Sequence, residues 1–140
     1  MEVEIIPKRG DKNKQNCPEI LFVFPSFDDV ILSNFVLPYH LGAGYILAYL
    51  KDKGIHAAQF IHNEPIGLDE LTEKILEQRP KAVGFTCYDT NYYFVKLISQ
   101  LLKKKSPRLP VILGGPTATF SDELIMRDNP AIDICVRGEG

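Results

Sequence analysis

The sequence contains little cysteine, and its cysteines are widely separated. Cys17, Cys87 and Cys135 are the three among 140 residues. An odd number at such distances matches neither a disulfide framework nor a metal knuckle of the CxxC type. The pattern therefore predicts no metal ligands, and it favours a reducing compartment, the cytoplasm.

An excess of charge of either sign is also missing. Sixteen Lys and Arg face eighteen Asp and Glu, so the net charge is -2 and the pI is near 5.9. The single basic run, residues 103–105, ends a predicted helix, where cations stabilise the helix dipole. Because nucleic-acid binding usually needs a basic face, no nucleic-acid partner is predicted.

Long uninterrupted hydrophobic runs do not occur. The first residues are charged, unlike those of a signal peptide. Residues 30–50 contain no charged type except His40, but serine, asparagine, proline and glycine interrupt them. We interpret this stretch as an uncharged loop that leads into a helix, and no membrane contact is predicted. A loop of this length beside a ligand site favours a large, partly apolar ligand.

The motifs with which many α/β proteins bind phosphate are missing too. The sequence has no GxGxxG and no P-loop lysine. A response regulator is also disfavoured. Asp28 and Asp29 follow the first predicted strand, but the third ends in Thr86-Cys87-Tyr88, without an aspartate to accept a phosphoryl group.

What the sequence does contain is a regular alternation of strand and helix patterns. Apolar runs predict strands at 20–24, 56–61, 82–87, 111–113 and 132–136, with a helix in each interval. This alternation predicts an α/β fold with an open, doubly wound, five-stranded parallel sheet in the flavodoxin-like order 2-1-3-4-5. The domain is predicted to span residues 18–140, after an N-terminal tail or edge segment at 1–17.

The predicted helices differ in their surroundings. The first, residues 42–53, has apolar flanks and is expected to be largely buried. Its expected inner face is formed by Tyr45, Ile46, Tyr49 and Leu50. Ser121 is expected to cap a short helix before the fifth strand.

No helix pattern follows the fifth strand. We therefore expect the final helix to be truncated and the chain to be a fragment of a longer protein. Apolar side chains beside the fifth strand should then be exposed, and they could support a dimer through that edge of the sheet.

In this strand order, ligands bind at the carboxyl ends of strands one and three, beside strand four. Four segments meet there: residues 26–44, 86–91, 114–119 and 137–139. Gly114 and Gly115 let another molecule approach bare backbone, although a tight turn alone would also explain them. Pro116 stops further strand pairing, and Thr117 and Thr119 add hydroxyl groups.

Several of these segments together resemble one known family. Gly84-Phe85-Thr86, Val111 to Thr119 with its Gly-Gly-Pro, Arg137-Gly138-Glu139-Gly140 and Leu41 to Leu50 are similar to the N-terminal cobalamin-binding domain of B12-dependent radical SAM enzymes. The resemblance covers residues 18–140. It implies that the corrin lies over the strand ends and that the nucleotide tail of the cofactor enters the cleft. Thr86 would lie near the tail, which would pass close to Gly114 and Gly115.

The predicted cofactor-binding residues come from the four segments at the carboxyl edge. They are Ser26, His40, Leu41, Gly42, Thr86, Tyr88, Asp89, Gly114, Gly115, Pro116, Thr117, Arg137, Gly138 and Glu139. No catalytic residue is predicted. Cys87 is interpreted as a small core residue, and Tyr88, Tyr92 and Tyr93 as either corrin-stacking or packing residues.

His40 falls where better-known B12 proteins carry the cobalt ligand of a D-x-H-x-x-G motif. Here Pro38 replaces the aspartate that fixes the histidine ring, and Ala43 replaces the last glycine. We therefore expect that His40 does not bind cobalt.

The resemblance implies a cobalamin-binding module that is not catalytic by itself. A radical SAM domain in the absent C-terminal part would bind a [4Fe-4S] cluster and S-adenosylmethionine, since the required CxxxCxxC does not occur here. The parent reaction would be methyl transfer or another radical transformation. Two alternatives stay open: a cofactor-free lid or interaction domain of a radical SAM protein, and a free-standing module that binds a flavin or nucleotide.

Overall fold

The computed structural model describes residues 17–25, 41–62 and 66–138. The strands are β1 (Ile20–Pro25), β2 (Ala57–His62), β3 (Ala82–Thr86), β4 (Val111–Gly114) and β5 (Ile134–Cys135). The helices are α1 (Leu41–Asp52), α2 (Leu68–Glu77), α3 (Tyr92–Lys105) and α4 (Pro116–Asp128). All strand pairs are parallel, in the order β2-β1-β3-β4-β5. The predicted fold class is confirmed.

One face of the sheet is fully covered. Successive residues of a strand point to opposite faces, and the register aligns every second residue across the sheet. The six central residues of this face are at most 2% exposed, and they form one cluster with apolar residues of α2, α3 and α4. We call it the closed face; these residues are Leu21, Val23, Val83, Phe85, Val111 and Leu113.

The opposite face is covered much less. The crossover from β1 to β2 runs against the direction of the other three, so its right-handed path places α1 on this side. Of the described helices, α1 alone contributes no residue to the core cluster. We define the open face as Phe22, Gly84, Ile112 and Ile134, which the strand register aligns. The ring of Phe22 lies over Gly84, and Ile134 is 47% exposed.

The expectation that the first helix is largely buried is wrong. Ala43 is its one buried residue, whereas Tyr45 is 70% and Tyr49 63% exposed. The ammonium of Lys53 lies 5.3 Å from the centre of the Tyr49 ring. The absence of charge indicated burial, but tyrosines tolerate water and can carry a cation on their ring face.

The helix before β5 begins earlier than predicted. α4 starts at Pro116, because a proline fits the first helical position and has no amide that the first turn would leave unpaired. Ser121 has φ -135° and ψ 22°, which are not helical, so α4 consists of two helical segments joined at a kink, and the second begins after Ser121, where a short helix was predicted.

Polar contacts stabilise the amino edge of the sheet, opposite the carboxyl ends of the strands. Lys103 lies 2.6 Å from the carboxylate of Asp133 and donates a hydrogen bond of 2.7 Å to the carbonyl of Leu109. The same carboxylate accepts the amide of Val111 at 2.7 Å. Lys105 pairs with Glu73 of α2 at 2.9 Å. Two lysines of the basic run therefore form ion pairs with residues outside α3. No described helix is long and apolar enough to cross a membrane.

Candidate ligand site at the carboxyl edge of the sheet

The turn from β4 into α4 requires a glycine at position 115. Gly115 has φ +97°, a conformation that other residues rarely adopt. A Cβ atom on Gly115 would lie 2.7 Å from the carbonyl oxygen of Cys87 and 2.9 Å from its amide nitrogen. The geometry of the protein itself thus explains Gly115, and its prediction as a cofactor contact stays a prediction.

Gly114 differs from its neighbour in both respects. It ends β4 with φ outside the left-handed region, and no described atom lies within 4 Å of the position that its Cβ would take. Its carbonyl accepts the amide of Cys87 at 2.8 Å, and the strand register places it beside Thr86. Bare backbone therefore meets open space at the end of β4, where a flat or elongated ligand could lie against it.

The loop between β3 and α3 is held by the side chain of Asn91. Its Oδ1 accepts the amide of Tyr88 at 2.9 Å, and its Nδ2 donates to the carbonyl of Thr86 at 3.2 Å. Asn91 makes no side-chain hydrogen bond that caps α3, although its position is the N-cap. The side chain thus shapes residues 86–91 instead of serving the helix.

A second contact connects this loop to the start of α4. The hydroxyl of Thr117 donates a hydrogen bond of 2.6 Å to Oδ1 of Asp89. The amide of Thr117 donates to the carbonyl of Cys87 at 3.2 Å. Thr86, Asp89, Gly114 and Thr117 are therefore parts of one connected surface at the carboxyl edge, as their sequence positions predicted.

The segment after β5 contacts the same helix. The amide of Gly138 donates to the hydroxyl of Thr119 at 3.0 Å, and that hydroxyl donates to the carbonyl of Gly115. Arg137 lies 3.5 Å from the carboxylate of Asp122. This partner is on α4, and the Arg137 side chain is largely exposed.

The wall of the site that faces α1 is only partly described. Ser26, His40 and Glu139 lie outside the described residues. Leu41 and Gly42 form the exposed first turn of α1, and no described atom lies within 4 Å of the position of a Cβ on Gly42. Since α1 returns the chain from β1 to β2, its first turn lies at the carboxyl edge. The roles of these residues toward a cofactor stay predictions.

Near the site, Cys87 and Tyr92 are buried or partly buried, whereas Tyr88 and Tyr93 are exposed. Cys87 is fully buried, and burial raises the pKa of its thiol to about 11, so it is a neutral core residue at neutral pH. Tyr92 packs against the core cluster, and burial raises the pKa of its phenol. Tyr88 and Tyr93 are exposed. The two exposed rings are therefore the better candidates for stacking on a ligand.

Sequence reasoning missed Asn91 as a site residue. Asn91 follows Asp89 and Thr90 directly before α3, where all three residue types commonly act as helix caps. An asparagine five residues after the end of a strand can also close the intervening loop, which is the signal that was available. Among the described residues, no group of His, Cys, Asp or Glu is placed to hold a metal ion.

A family model for the B12 binding domain matches residues 29–140. This match includes the carboxyl-edge segments of β3 and β4 and the segment after β5. It therefore covers the surface that the hydrogen bonds of Asp89, Asn91 and Thr117 connect.

Several curated relatives match about 70% of the chain. An uncharacterized methyltransferase, PH0819, of Pyrococcus horikoshii is 30% identical over 102 residues, which are 71% of this chain and 22% of that protein. The anaerobic magnesium-protoporphyrin IX monomethyl ester cyclase of Rubrivivax gelatinosus is 32% identical over 98 residues, 69% of this chain and 18% of the cyclase. The cobalamin-dependent radical SAM methyltransferase TokK of Streptomyces tokunonensis is 27% identical over 104 residues, 71% of this chain and 15% of that protein. The matched region thus spans about a fifth or less of each of these relatives.

Proposed function

The chain belongs to the B12-binding domain family, and we propose that it binds cobalamin at the carboxyl edge of its sheet. The observation that carries this proposal is Gly114. Among the described residues, no atom lies within 4 Å of the position of a Cβ on Gly114, which ends β4 next to Thr86, so a side chain there would occupy room that we assign to the ligand.

The polar residues present can form hydrogen bonds with the amide groups around a corrin. The hydroxyl of the half-buried Thr86 and the second oxygen of the exposed Asp89 carboxylate can bond such groups, whereas Thr117 is buried and its hydroxyl already donates to Asp89. The exposed rings of Tyr88 and Tyr93 offer apolar contact. When bound, cobalamin supplies a cobalt ion that can carry a methyl group. The residues of this chain hold and orient the cofactor, and none acts as a catalyst.

We propose that this domain is part of a radical SAM enzyme, which is a methyltransferase or catalyses another radical reaction. A further part of that protein would bind the [4Fe-4S] cluster and S-adenosylmethionine. The names and lengths of the relatives support this, since the named proteins include a radical SAM methyltransferase and are several times longer. A cytoplasmic location agrees with the free thiols of Cys17, Cys87 and Cys135.

In this proposal, the domain packs against the radical SAM domain of the same polypeptide chain. The open face supports this proposal, because it presents Ile112 and Ile134 beside a thinly covered part of the sheet. A second copy of the chain is the alternative occupant, and it would form a dimer through the β5 edge. The prediction of exposed apolar residues beside the fifth strand agrees with the 47% exposure of Ile134.

Cobalamin retention is the test. The protein is incubated with hydroxocobalamin, desalted, and its absorption spectrum is recorded, with a parallel sample incubated with flavin mononucleotide. We expect the corrin bands to stay with the protein and the flavin bands to be lost. Loss of both would favour the cofactor-free lid, and retention of flavin alone would favour a flavin or nucleotide module.

A further inference from the structure

The side chain of Asn91 forms hydrogen bonds with two backbone groups of the loop between β3 and α3. Thr86 ends β3, and Tyr88 is the first exposed residue after the buried Cys87. An asparagine amide can accept through oxygen and donate through nitrogen, so its orientation here is fixed by chemistry: an amide N–H needs the oxygen, and a carbonyl needs the nitrogen. Both functions are used, on Tyr88 at 2.9 Å and on Thr86 at 3.2 Å.

This use of Asn91 is not explained by helix capping. An N-cap side chain normally accepts an amide of the first helical turn, and Asn91 makes no such bond. Its own amide instead donates to the carbonyl of Tyr88 at 3.1 Å. Both polar atoms of the Asn91 side chain bond residues that precede it in the sequence, so the side chain stabilises the loop before the helix.

The loop that Asn91 closes is also connected to β4 and α4. Cys87 donates its amide to Gly114 and accepts the amide of Thr117, while Asp89 accepts the hydroxyl of Thr117. The loop and the first turn of α4 consequently form one hydrogen-bonded unit. Because Gly114 opens to space beside this unit, a change in the loop changes the surface that a ligand meets.

We propose that Asn91 is a positioning residue, which holds residues 86–91 in the shape that accepts cobalamin before the cofactor arrives. The inference depends on the proposed cobalamin binding. Asn91 acts through Thr86, Tyr88 and Asp89 and does not itself need to touch the cofactor. Preformed contacts of this kind raise affinity because the loop loses less freedom on binding.

Three variants test this inference. Asn91→Ala removes both hydrogen bonds. Asn91→Asp keeps an acceptor for Tyr88 but cannot donate to Thr86. Thr90→Ala, at the neighbouring exposed position, is the matched control. For each protein, we would measure thermal unfolding, hydrogen exchange of the Tyr88 amide without cofactor, and the dissociation constant for hydroxocobalamin.

We expect the Tyr88 amide to be protected in the wild-type protein and in Asn91→Asp, and to exchange quickly in Asn91→Ala. Cobalamin binding should weaken at least tenfold in Asn91→Ala, less in Asn91→Asp, and not in Thr90→Ala, while the core amides of β3 keep their protection in all three. Asn91→Ala that binds as the wild type does would overturn the positioning role alone. If the wild-type protein does not bind hydroxocobalamin, the proposed function fails and this inference fails with it. An unfolded Asn91→Ala combined with wild-type affinity in Asn91→Asp would also contradict the positioning role.

Discussion

The two faces of this sheet are built from similar apolar residues but have very different surroundings. On the closed face, Val23, Val83, Val111 and Leu113 have no exposed surface, and three helices cover them. On the open face, Ile112 is partly exposed and Ile134 is nearly half exposed. The closed face therefore carries most of the stability of the fold, whereas the open face leaves apolar surface exposed to solvent.

The two glycines at the end of β4, Gly114 and Gly115, show the same contrast although they are adjacent in the sequence. Gly114 lies in register with Thr86 on the open side, and no atom of the described residues lies within 4 Å of the position of its Cβ. Gly115 fits tightly against the backbone of Cys87, whose side chain belongs to the closed core. Gly115 is therefore required by the fold, whereas for Gly114 the fold imposes no such requirement and we propose a role in leaving room for a ligand.

The largest expected effect comes from two neighbours on β4. Leu113→Ala removes a fully buried side chain of the closed face, and we expect a loss of about 3–5 kcal/mol in the free energy of unfolding. Ile112→Ala removes a side chain of similar size from the open face, and we expect roughly 1–2 kcal/mol, because part of that surface is already in water. Urea unfolding measures both. Equal losses would show that the two faces are equally covered.

The next effect separates the two glycines. Gly115→Ala combines a positive φ with a contact of 2.7 Å to the Cys87 carbonyl oxygen, so we expect a loss of roughly 2–4 kcal/mol. Gly114→Ala should change the free energy of unfolding by less than about 1 kcal/mol, since its backbone is ordinary and its surroundings are open. Thermal and urea unfolding of the pair provide the comparison, and the reverse order would show that the turn has another geometry.

A smaller effect concerns association through the open face. Replacing Ile134 by lysine places a charge on the exposed edge, where an apolar contact between copies would have to form. If the isolated chain self-associates, we expect Ile134→Lys to reduce it with little change in unfolding. Light scattering coupled to gel filtration measures this, with Lys74→Ala on the outer side of α2 as the control. Association that is unchanged in Ile134→Lys would exclude this face as the contact.

The smallest effect is a pH dependence of the closed side. The Cys87 thiol has its pKa raised from 9.0 to about 11 by burial. Below about pH 9 the thiol is neutral in both states, so its contribution is constant. Between about pH 9 and 11 it ionises in the unfolded chain first, and the free energy of unfolding should decrease. In Cys87→Ala this decrease should be smaller than in the wild-type protein over the same pH range. Parallel curves would indicate that the thiol is not shielded from water.

Much of this contrast could be predicted from the sequence, because apolar runs specify buried strands and their alternation with helices specifies the strand order. Burial of α1 was predicted wrongly, since the outer face of the helix carries Tyr45 and Tyr49, whose apolar rings do not reveal which side meets water. For Gly115, the sequence could not decide between a tight turn and a ligand contact. The φ of Gly115 and the approach of Cys87 exist only after β3 and β4 have paired. Asn91 is similar, because its partners depend on the course of the loop.

The prediction that His40 does not bind cobalt concerns a residue outside the described ranges, and it rests on the missing aspartate at position 38. If cobalamin binds, His40→Ala should leave the affinity and the absorption spectrum of the bound cofactor nearly unchanged. A large spectral shift with retained binding would mean that cobalt had lost an axial nitrogen ligand.

The most direct test of cobalamin binding at the carboxyl edge compares hydroxocobalamin binding by the wild-type protein and by Gly114→Val. The comparison is made under conditions in which both proteins are fully folded. Each protein is titrated with the cofactor, separated from free cofactor by gel filtration, and assayed by the absorbance of the corrin. We predict one cofactor per wild-type chain and at least a tenfold loss of affinity in Gly114→Val, because the valine occupies the open space at the end of β4. Equal binding by both proteins would contradict the location of the site, and no binding by the wild-type protein would contradict the proposed function.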